Sequence, residues 1–223
     1  ISLGLVGSEM CIRDRHKTRI LRDAEEHPSL LDALPDFNLR MAQCGAVLIY
    51  YRARFCRLLA DYAASAHREC SGGREELTLR YETVGTVTDP LAPQEVVFEQ
   101  LMAHQRDHYR AELASRLCLS GPHKDDLAVT IGGTAARAYS SQGQTRTAAL
   151  ALKLAERDIF RELTGFSPVL LLDDVLSELD PRRQEFVLNR ISGGQVFITC
   201  CEEDRLESLL GGKVLHVENG RVV

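Results

Sequence analysis

The sequence lacks an overall positive charge, a long apolar run and any regular cysteine spacing. Its 223 residues carry a formal net charge of −5, so contact with nucleic acid would need a local basic patch. No apolar run approaches the roughly 20 residues that a membrane span needs, which argues against a membrane protein. The seven cysteines are scattered and form no C-x-x-C pair. This usage argues against a disulfide framework or a zinc site and favours a cytoplasmic protein.

The most informative stretch is an apolar run that ends in two adjacent carboxylates. Residues 168–172, Pro-Val-Leu-Leu-Leu, precede Asp173 and Asp174. A short unbroken apolar run predicts a strand buried on both faces, and ligands of open α/β sheets bind beyond the carboxyl ends of such strands. Asp173 would then suit Mg²⁺, and Asp174 could orient or deprotonate a water. This is the arrangement of a Walker B strand, although an acidic strand end or another magnesium enzyme would give the same pattern.

A second stretch, residues 139–146, reads Tyr-Ser-Ser-Gln-Gly-Gln-Thr-Arg and opens a helical pattern that Gly165 closes. Small residues and a glycine at a helix N-terminus leave backbone N–H groups available to an anion. Ser-Gln-Gly-Gln at 141–144 resembles the signature motif of ABC-type ATPases. After the apolar strand, Ser-Glu-Leu-Asp at 177–180 resembles their D-loop. The three motifs occur in the order that those ATPases use.

Local patterns place further elements around these motifs. Residues 127–131 and 134–139 predict two strands joined by a hairpin turn at Gly132-Gly133. Asp180 followed by Pro181 predicts the N-cap and first residue of a helix that runs to about Arg190. A further strand is predicted at 195–199.

With the loop Gly121–Leu127, which reads Gly-Pro-His-Lys-Asp-Asp-Leu, these motifs resemble the RecF family of bacterial recombination mediators. The resemblance runs from about Thr18 to the end of the chain. It implies an α/β fold, namely the C-terminal lobe of an ABC/SMC-type ATPase head with a helical arm domain. We expect residues 1–15 to be a non-native leader outside the fold, 16–120 to form the arm with a short β element, and 121–223 to form the C-terminal half of the head.

The resemblance also implies roles for individual residues. Asp173 would hold Mg²⁺, Asp174 would position the attacking water, and Thr199 could sense the γ-phosphate. The signature would contact ATP in trans, across a dimer interface. Its residues would be Ser140, Ser141, Gln142, Gly143, Gln144 and Arg146, and those of the D-loop would be Ser177, Glu178, Leu179 and Asp180. His123 could be functional, but a structural role for its loop is an equal alternative.

A long helix is predicted from Phe37 to about Cys70, with an apolar stripe and a face of arginines. Residues 37–68 hold five arginines and a single acidic residue, Asp61. A solvated helix face is the simpler interpretation of these charges. The resemblance to RecF adds a second one, contact with the DNA backbone. The arginines on the shared face are Arg40, Arg54, Arg57 and Arg68.

A phosphate-binding loop of the form G-x-x-x-x-G-K-[ST] is absent from the sequence, whose single Gly-Lys pair, Gly212-Lys213, is followed by Val214. We therefore expect a truncated reading frame, and an isolated chain that neither binds ATP tightly nor hydrolyses it. At full length, the resemblance implies an ATPase that forms an ATP-dependent homodimer and binds DNA at single-strand/double-strand junctions. It would act with RecO and RecR to load RecA in DNA repair and replication restart.

Two other classes of ATPase remain as alternatives. The nucleotide-binding subunit of an ABC transporter would carry a compact helical insert, and the long helix at 37–70 argues against it. An SMC-type structural ATPase would need coiled-coil heptads that continue far beyond this arm. The genomic sequence upstream of His16 would discriminate among the three, since a phosphate loop followed by a short arm is expected for RecF.

Overall fold

The computed structural model describes residues 3–176, 179–191, 193–200 and 212–222. The α-helices are α1 (Leu3–Asp23), α2 (Leu34–Ser71), α3 (Gln94–Ser115), α4 (Ala136–Tyr139), α5 (Gln142–Thr164) and α6 (Pro181–Arg190). Short 3-10 helices lie at Pro28–Ala33 and Pro122–Lys124. The strands are β1 (Leu77–Glu82), β2 (Asp126–Ile131), β3 (Thr134–Ala135), β4 (Leu170–Asp173), β5 (Val196–Thr199), β6 (Val217–Glu218) and β7 (Arg221–Val222). Among the described helices, none is both long and apolar enough to cross a membrane.

The chain divides into two compact units. Unit 1 comprises Ile1–Ala60 and Leu79–Ala128, and unit 2 comprises Asp61–Thr78 and Val129–Val223. The division differs from the expected boundary at residue 120, because the last turns of α2 belong to unit 2. Two carboxylates explain this assignment: Glu69 contacts Arg190, and Glu75 contacts Gln144, both within unit 2.

The apolar stripe of α2 forms the core of unit 1, where it packs against α3. Gly45 allows the two helices to approach closely, because an added Cβ would lie 3.0 Å from Cδ1 of Leu101 and 3.2 Å from Cδ of Pro122. The residues of this core include Ala42, Ala46, Ile49, Val84, Val87, Val97 and Leu101. Small residues on α2 therefore set the distance between the helices of unit 1.

Residues 1–15 are expected to be a non-native leader, yet the described part of this stretch packs within unit 1. The stretch forms the first turns of α1, and Val6 and Met10 are 6% and 3% exposed. They belong to a second cluster of unit 1, with Met41, Leu48 and Cys118. Val6 and Met10 are four residues apart, so they lie on one helix face and can cover the apolar side of α2 together. The non-native origin of the leader stays a prediction.

The sheet that carries the acidic strand is covered on one face. Strand β4 pairs with β5 in parallel, and Leu172, only 4% exposed, packs against α5 and α6. Leu171 is 71% exposed and Phe197 is 51% exposed. The expected burial on both faces is therefore wrong for the described residues, because α5 and α6 cover the same side of the sheet. The sheet belongs to unit 2, whose core includes Leu150, Leu154, Leu172, Leu176, Leu179, Val187 and Ile191.

The predicted hairpin is partly confirmed. Strands β2 and β3 pair in antiparallel fashion, with Ile131 opposite Thr134, around two glycines with positive φ. The return strand ends at Ala135, however, and the chain enters the short helix α4 instead of continuing as a strand to Tyr139. Alanine at 135, 136 and 138 favours helix over strand, which explains the early end of β3.

A buried ion pair leads to a stability prediction for unit 1. Nζ of Lys17 on α1 lies 2.7 Å from Oε2 of Glu112 on α3, and the two side chains are 0% and 1% exposed. Glu112 also accepts a hydrogen bond from the Leu119 N–H at 2.8 Å. We expect Lys17→Met to lower the free energy of unfolding by about 3–5 kcal/mol, because it leaves a buried carboxylate without its cation. Urea denaturation followed by circular dichroism measures the change.

Arg19→Met on the same helix is the matched control. The Arg19 side chain is 83% exposed and lies 3.4 Å from Asp23, so its removal should change stability by less than about 1 kcal/mol. Equal losses in the two variants would contradict the importance of the buried pair.

Candidate functional site

The structure brings together three residues that the sequence analysis singled out separately. The parallel register of β4 and β5 places Asp173 opposite Thr199 at the carboxyl ends of the two strands. The Thr199 hydroxyl donates to Oδ1 of Asp173 at 2.5 Å. The backbone N–H of Asp174 is shared between the carbonyl oxygen and the hydroxyl of Thr199, at 3.2 and 3.0 Å. Thr199 therefore fixes both the side chain of the first aspartate and the backbone of the second.

Asp174 has a left-handed backbone conformation, with φ of 51°. Aspartate adopts this conformation more readily than most residues with a side chain. The chain thus turns sharply where β4 ends, and the second carboxylate belongs to the turn rather than to the strand. The exposed side chains of Asp173, Asp174 and Thr199 lie in the crevice position that α/β sheets use for ligands.

The donor atoms of this group suit a hard cation. Two carboxylates and one hydroxyl offer oxygen atoms only, and Mg²⁺ usually binds through one or two carboxylates together with phosphate oxygens. The residues therefore fit a magnesium ion that arrives with a phosphate ligand. They do not form a closed cage of protein ligands, which would suit Ca²⁺ better.

The predicted start of the signature helix is confirmed. Ser141 is the N-cap of α5, and its hydroxyl accepts from the Gln144 N–H at 3.2 Å. A reciprocal hydrogen bond comes from the Gln144 side chain, whose Oε1 accepts from the Ser141 N–H at 2.8 Å. This capping box uses two of the backbone donors at the helix start. The N–H groups of Gln142 and Gly143 have no intrahelical acceptor and remain for an anion.

The remaining signature residues flank this cap. Ser140 lies between α4 and α5, in an extended conformation. Arg146 lies in the second turn of α5 and is half-buried. The hydrogen-bond pattern identifies Ser141 and Gln144 as structural caps, a function that the sequence signature had not suggested.

The D-loop motif leads into α6. Asp180 is the N-cap, as predicted, and its Oδ1 accepts from the N–H groups of Arg182 and Arg183 at 3.1 Å each. Leu179 is 8% exposed and belongs to the core of unit 2. Ser177 and Glu178 lie outside the described residues. Two of the four motif residues therefore have a structural function that is independent of any nucleotide.

The arginines of α2 differ in their surroundings. Arg40, Arg54 and Arg57 in unit 1 are exposed, and Arg68, which belongs to unit 2, is exposed as well. Arg52 instead donates to the carbonyl oxygen of Pro122 at 2.6 Å. Two aromatic residues that the sequence analysis did not consider, Tyr51 and Phe55, are 41% and 45% exposed on the same helix. The sequence could have identified both as exposed aromatic residues, because neither lies on the apolar stripe where core residues of this helix are expected.

No family model matches the chain. Among curated proteins, the DNA replication and repair protein RecF of Agathobacter rectalis is 38% identical over 210 residues, which are 92% of this chain and 54% of that protein. RecF of Synechococcus sp. (strain JA-3-3Ab) is 37% identical over 223 residues, 99% of this chain and 59% of that protein. RecF of Bacillus subtilis (strain 168) is 38% identical over 200 residues, 87% of this chain and 52% of that protein.

Two solved structures agree with these relatives. The recombination mediator protein RecF-ATPrS in the RecFOR pathway superimposes with a TM-score of 0.85 at 30% identity, over 99% of this chain and 58% of that chain. RecF-ATP in the same pathway gives a TM-score of 0.79 at 31% identity, over 92% of this chain and 55% of that chain. The predicted resemblance to the RecF family is confirmed. The fold class, an ABC/SMC-type ATPase head lobe with a helical arm, is confirmed with it. The chain spans 52–59% of the length of the curated RecF relatives named above.

The loop Gly121–Leu127, whose sequence resembles a RecF motif, is held in place by contacts within unit 1. Gly121 has φ of 134°, and an added Cβ would lie 2.8 Å from Cε of Met10, so only glycine fits there without rearrangement. The Tyr81 hydroxyl donates to Oδ2 of Asp125, and Arg52 binds the carbonyl oxygen of Pro122. Burial raises the pKa of Asp125 and also that of Tyr81. These contacts support the structural interpretation of the loop.

His123 of the loop Gly121–Leu127 lies beside two other candidate metal ligands. Ligand atoms of Asp14, Cys118 and His123 lie within 4.8 Å of one another. Burial raises the pKa of the Cys118 thiol to about 12, which keeps it protonated at neutral pH and makes it a poor ligand. Nε2 of His123 lies 3.1 Å from the Cys118 carbonyl oxygen. The group is better explained as part of the loop's anchoring than as a metal site.

The anchoring of this loop can be measured through Tyr81. We expect Tyr81→Phe to lower the free energy of unfolding by about 1–3 kcal/mol, because the 2% exposed Asp125 side chain loses its hydroxyl donor. Tyr51→Phe is the control, since Tyr51 is 41% exposed and the same atom is removed. Urea denaturation of both variants gives the comparison. A loss for Tyr81→Phe no greater than that for Tyr51→Phe would show that the loop is held by other contacts.

Proposed function

We propose that the chain is the carboxyl-terminal part of a RecF-type ATPase that binds ATP, Mg²⁺ and DNA and promotes RecA loading in recombinational repair and replication restart. The observation that carries the proposal is the hydrogen-bonded group of Asp173, Asp174 and Thr199 at the ends of two parallel strands. The similarity to RecF structures with ATP and ATPrS supports a nucleotide as the ligand. The phosphate-binding loop would be supplied by sequence upstream of this chain.

Each member of the group would have a distinct function. Asp173 would hold Mg²⁺, and the Thr199 hydroxyl would keep its carboxylate in place through the 2.5 Å hydrogen bond. Bound Mg²⁺ would neutralise charge on the phosphate oxygens. Asp174 would orient the attacking water and accept its proton. Thr199, next to both aspartates, would be the group that detects the γ-phosphate.

The signature would act on a second nucleotide. The free N–H groups of Gln142 and Gly143 and the positive end of the α5 dipole favour an anion at this helix start. We propose that it binds the γ-phosphate of ATP held by a second copy, which would make ATP the bridge of a homodimer. RecO and RecR would be the further partners, in line with the RecFOR pathway of the solved relatives.

DNA would bind to the exposed arginines of α2. Arg54 and Arg57 are one helical turn apart and are both exposed, and Tyr51 and Phe55 beside them offer rings on which bases could stack. Contacts of this kind are independent of sequence, as expected for a protein that recognises a junction between single- and double-stranded DNA.

The catalytic assignment predicts different results for the two aspartates in the full-length protein. Asp173→Ala should abolish Mg²⁺-dependent ATP turnover, because the metal loses its carboxylate. Asp174→Asn should still bind ATP, hydrolyse it about 10²- to 10⁴-fold more slowly, and accumulate as a dimer. Phosphate release and size-exclusion chromatography with ATP measure these effects.

Glu185→Gln is the control for the aspartate variants. It removes one negative charge from an exposed position on α6 and should leave turnover unchanged. Wild-type turnover in Asp174→Asn would remove Asp174 from the role of base, and wild-type turnover in Asp173→Ala would remove the magnesium assignment.

The DNA assignment predicts a change in salt dependence. Each phosphate contact contributes about 0.9 to the slope of log K against log salt concentration on duplex DNA, so Arg54→Ala/Arg57→Ala should flatten the slope by up to about 1.8. Binding should weaken on all sequences alike. Titrations of the full-length protein with a labelled junction at several salt concentrations give the slope.

Arg106→Ala/Arg110→Ala on α3 is the matched pair, because both residues are exposed and the change in charge is the same. The slope of this pair should equal that of the wild type. If the α2 pair also keeps the wild-type slope, Arg54 and Arg57 form a solvated helix face and nothing more.

A further inference from the structure

Glu75, in the segment between α2 and β1, contacts the signature directly. Its Oε1 accepts a hydrogen bond from Nε2 of Gln144 at 2.8 Å. Gln144 is the third residue of α5 and the second member of the capping box. All of these residues belong to unit 2. The contact therefore joins the residues that follow the long helix to the first turn of the signature helix.

The contact decides how the Gln144 amide is oriented. Its oxygen accepts from the Ser141 N–H at 2.8 Å, while its nitrogen donates to Glu75 at the same distance. A flipped amide would place its NH₂ group against the Ser141 N–H and its oxygen against a carboxylate, and both contacts would be lost. Glu75 accepts hydrogen bonds only, so it holds the orientation that closes the capping box.

Burial strengthens this contact. Oε2 of Glu75 lies 3.6 Å from Nε2 of His67, whose side chain is 0% exposed, and the Glu75 side chain is 25% exposed. Burial lowers the pKa of His67, which keeps its ring neutral. Glu75 therefore lacks a full ion pair with His67, and the Gln144 amide is its nearest hydrogen-bond donor within the part of the chain that the structure describes. A hydrogen bond to a partly desolvated carboxylate is stronger than one between neutral groups.

A second carboxylate, Glu69 in the last turn of α2, makes a different contact within unit 2. Oε2 of Glu69 lies 2.8 Å from Nη1 of Arg190, whose Nη2 lies 3.0 Å from Asp158 on α5. Asp158 is about four turns along α5 from Gln144, so this contact does not involve the signature. Glu69 thus provides a natural comparison for Glu75.

We propose that Glu75 is a positioning residue for the signature, which holds the Gln144 amide and thereby keeps Ser141 and Gly143 in place at the start of α5. It would also tie the signature to the end of the long helix α2. The inference rests on the proposed function in one respect, that the signature acts on ATP. The geometric part of the inference can be tested without nucleotide.

The test of geometry is amide hydrogen exchange, measured by NMR on the protein without ATP. Glu75→Ala should speed exchange at Ser141 and Gln144 by about fivefold or more, the ratio that corresponds to ~1 kcal/mol for one hydrogen bond. Glu69→Ala should leave both amides unchanged. Glu75→Gln should lie between Glu75→Ala and the wild type, because its side chain keeps an acceptor oxygen.

A charge swap provides the second variant. Gln144→Glu should speed exchange at Ser141, because two carboxylates then face each other across 2.8 Å. Adding Glu75→Gln should restore slow exchange, since the amide introduced at position 75 donates to the carboxylate introduced at position 144, which still accepts from the Ser141 N–H. Unchanged exchange in Glu75→Ala, an equal effect in Glu69→Ala, or a swap that fails to restore protection would overturn the inference.

Turnover of the full-length protein separates this inference from the proposed function. Ser141→Arg should abolish ATP turnover, and full activity in that variant would overturn the proposed function of the signature while leaving the exchange result intact. Glu75→Ala should lower kcat by about 10- to 100-fold through misplacement of the signature, with little change in ATP affinity. If Ser141→Arg is inactive while Glu75→Ala keeps wild-type kcat, the functional part of the inference is wrong.

Discussion

The parallel pairing of β4 with β5 is the interaction on which the candidate site depends. Because the strands run in the same direction, their carboxyl ends coincide, and Asp173 meets Thr199. Burial of Leu172 against α5 and α6 fixes this register, since a slip by one residue would exchange its buried and exposed faces. The hydrogen bonds of Thr199 to both aspartates follow from that register together with the turn at Asp174. The site is thus a consequence of how the core of unit 2 packs.

The long helix α2 has different neighbours along its length, and this gives the molecule its division into units. Its first part packs through small residues against α3, with Gly45 at the closest approach. Its last turns belong to unit 2, where Glu69 in α2 and Glu75 just after it contact Arg190 and Gln144 of the same unit. A single helix therefore changes from apolar packing to polar contacts without a break in its backbone. This explains why the helical spacing of apolar residues in α2 did not indicate the boundary between the two units near residue 60.

The motifs that resemble those of RecF have structural functions in addition to any role with nucleotide. Ser141 and Asp180 cap helices, and Leu179 lies in the core of unit 2. Asp125 accepts a hydrogen bond from Tyr81, and the carbonyl oxygen of Pro122 accepts one from Arg52. The capping box at α5 uses two N–H groups of the signature and leaves those of Gln142 and Gly143. The capping box therefore occupies some of the N–H groups at this helix start, and an anion could bind only at those that it leaves.

The sequence by itself determined the features that depend on neighbouring residues. The cap at Asp180, the helix end at Gly165 and the turn at Gly132-Gly133 were predicted correctly, because each depends on residues within about four positions. Only the tertiary structure decided the contacts between distant residues. Asp174 meets Thr199 across 25 positions, Gln144 meets Glu75 across 69, and Arg52 meets Pro122 across 70. The burial of Val6 and Met10 and the exposure of Leu171 were likewise decided by packing, because a residue's burial depends on which elements cover it and not on its own hydrophobicity.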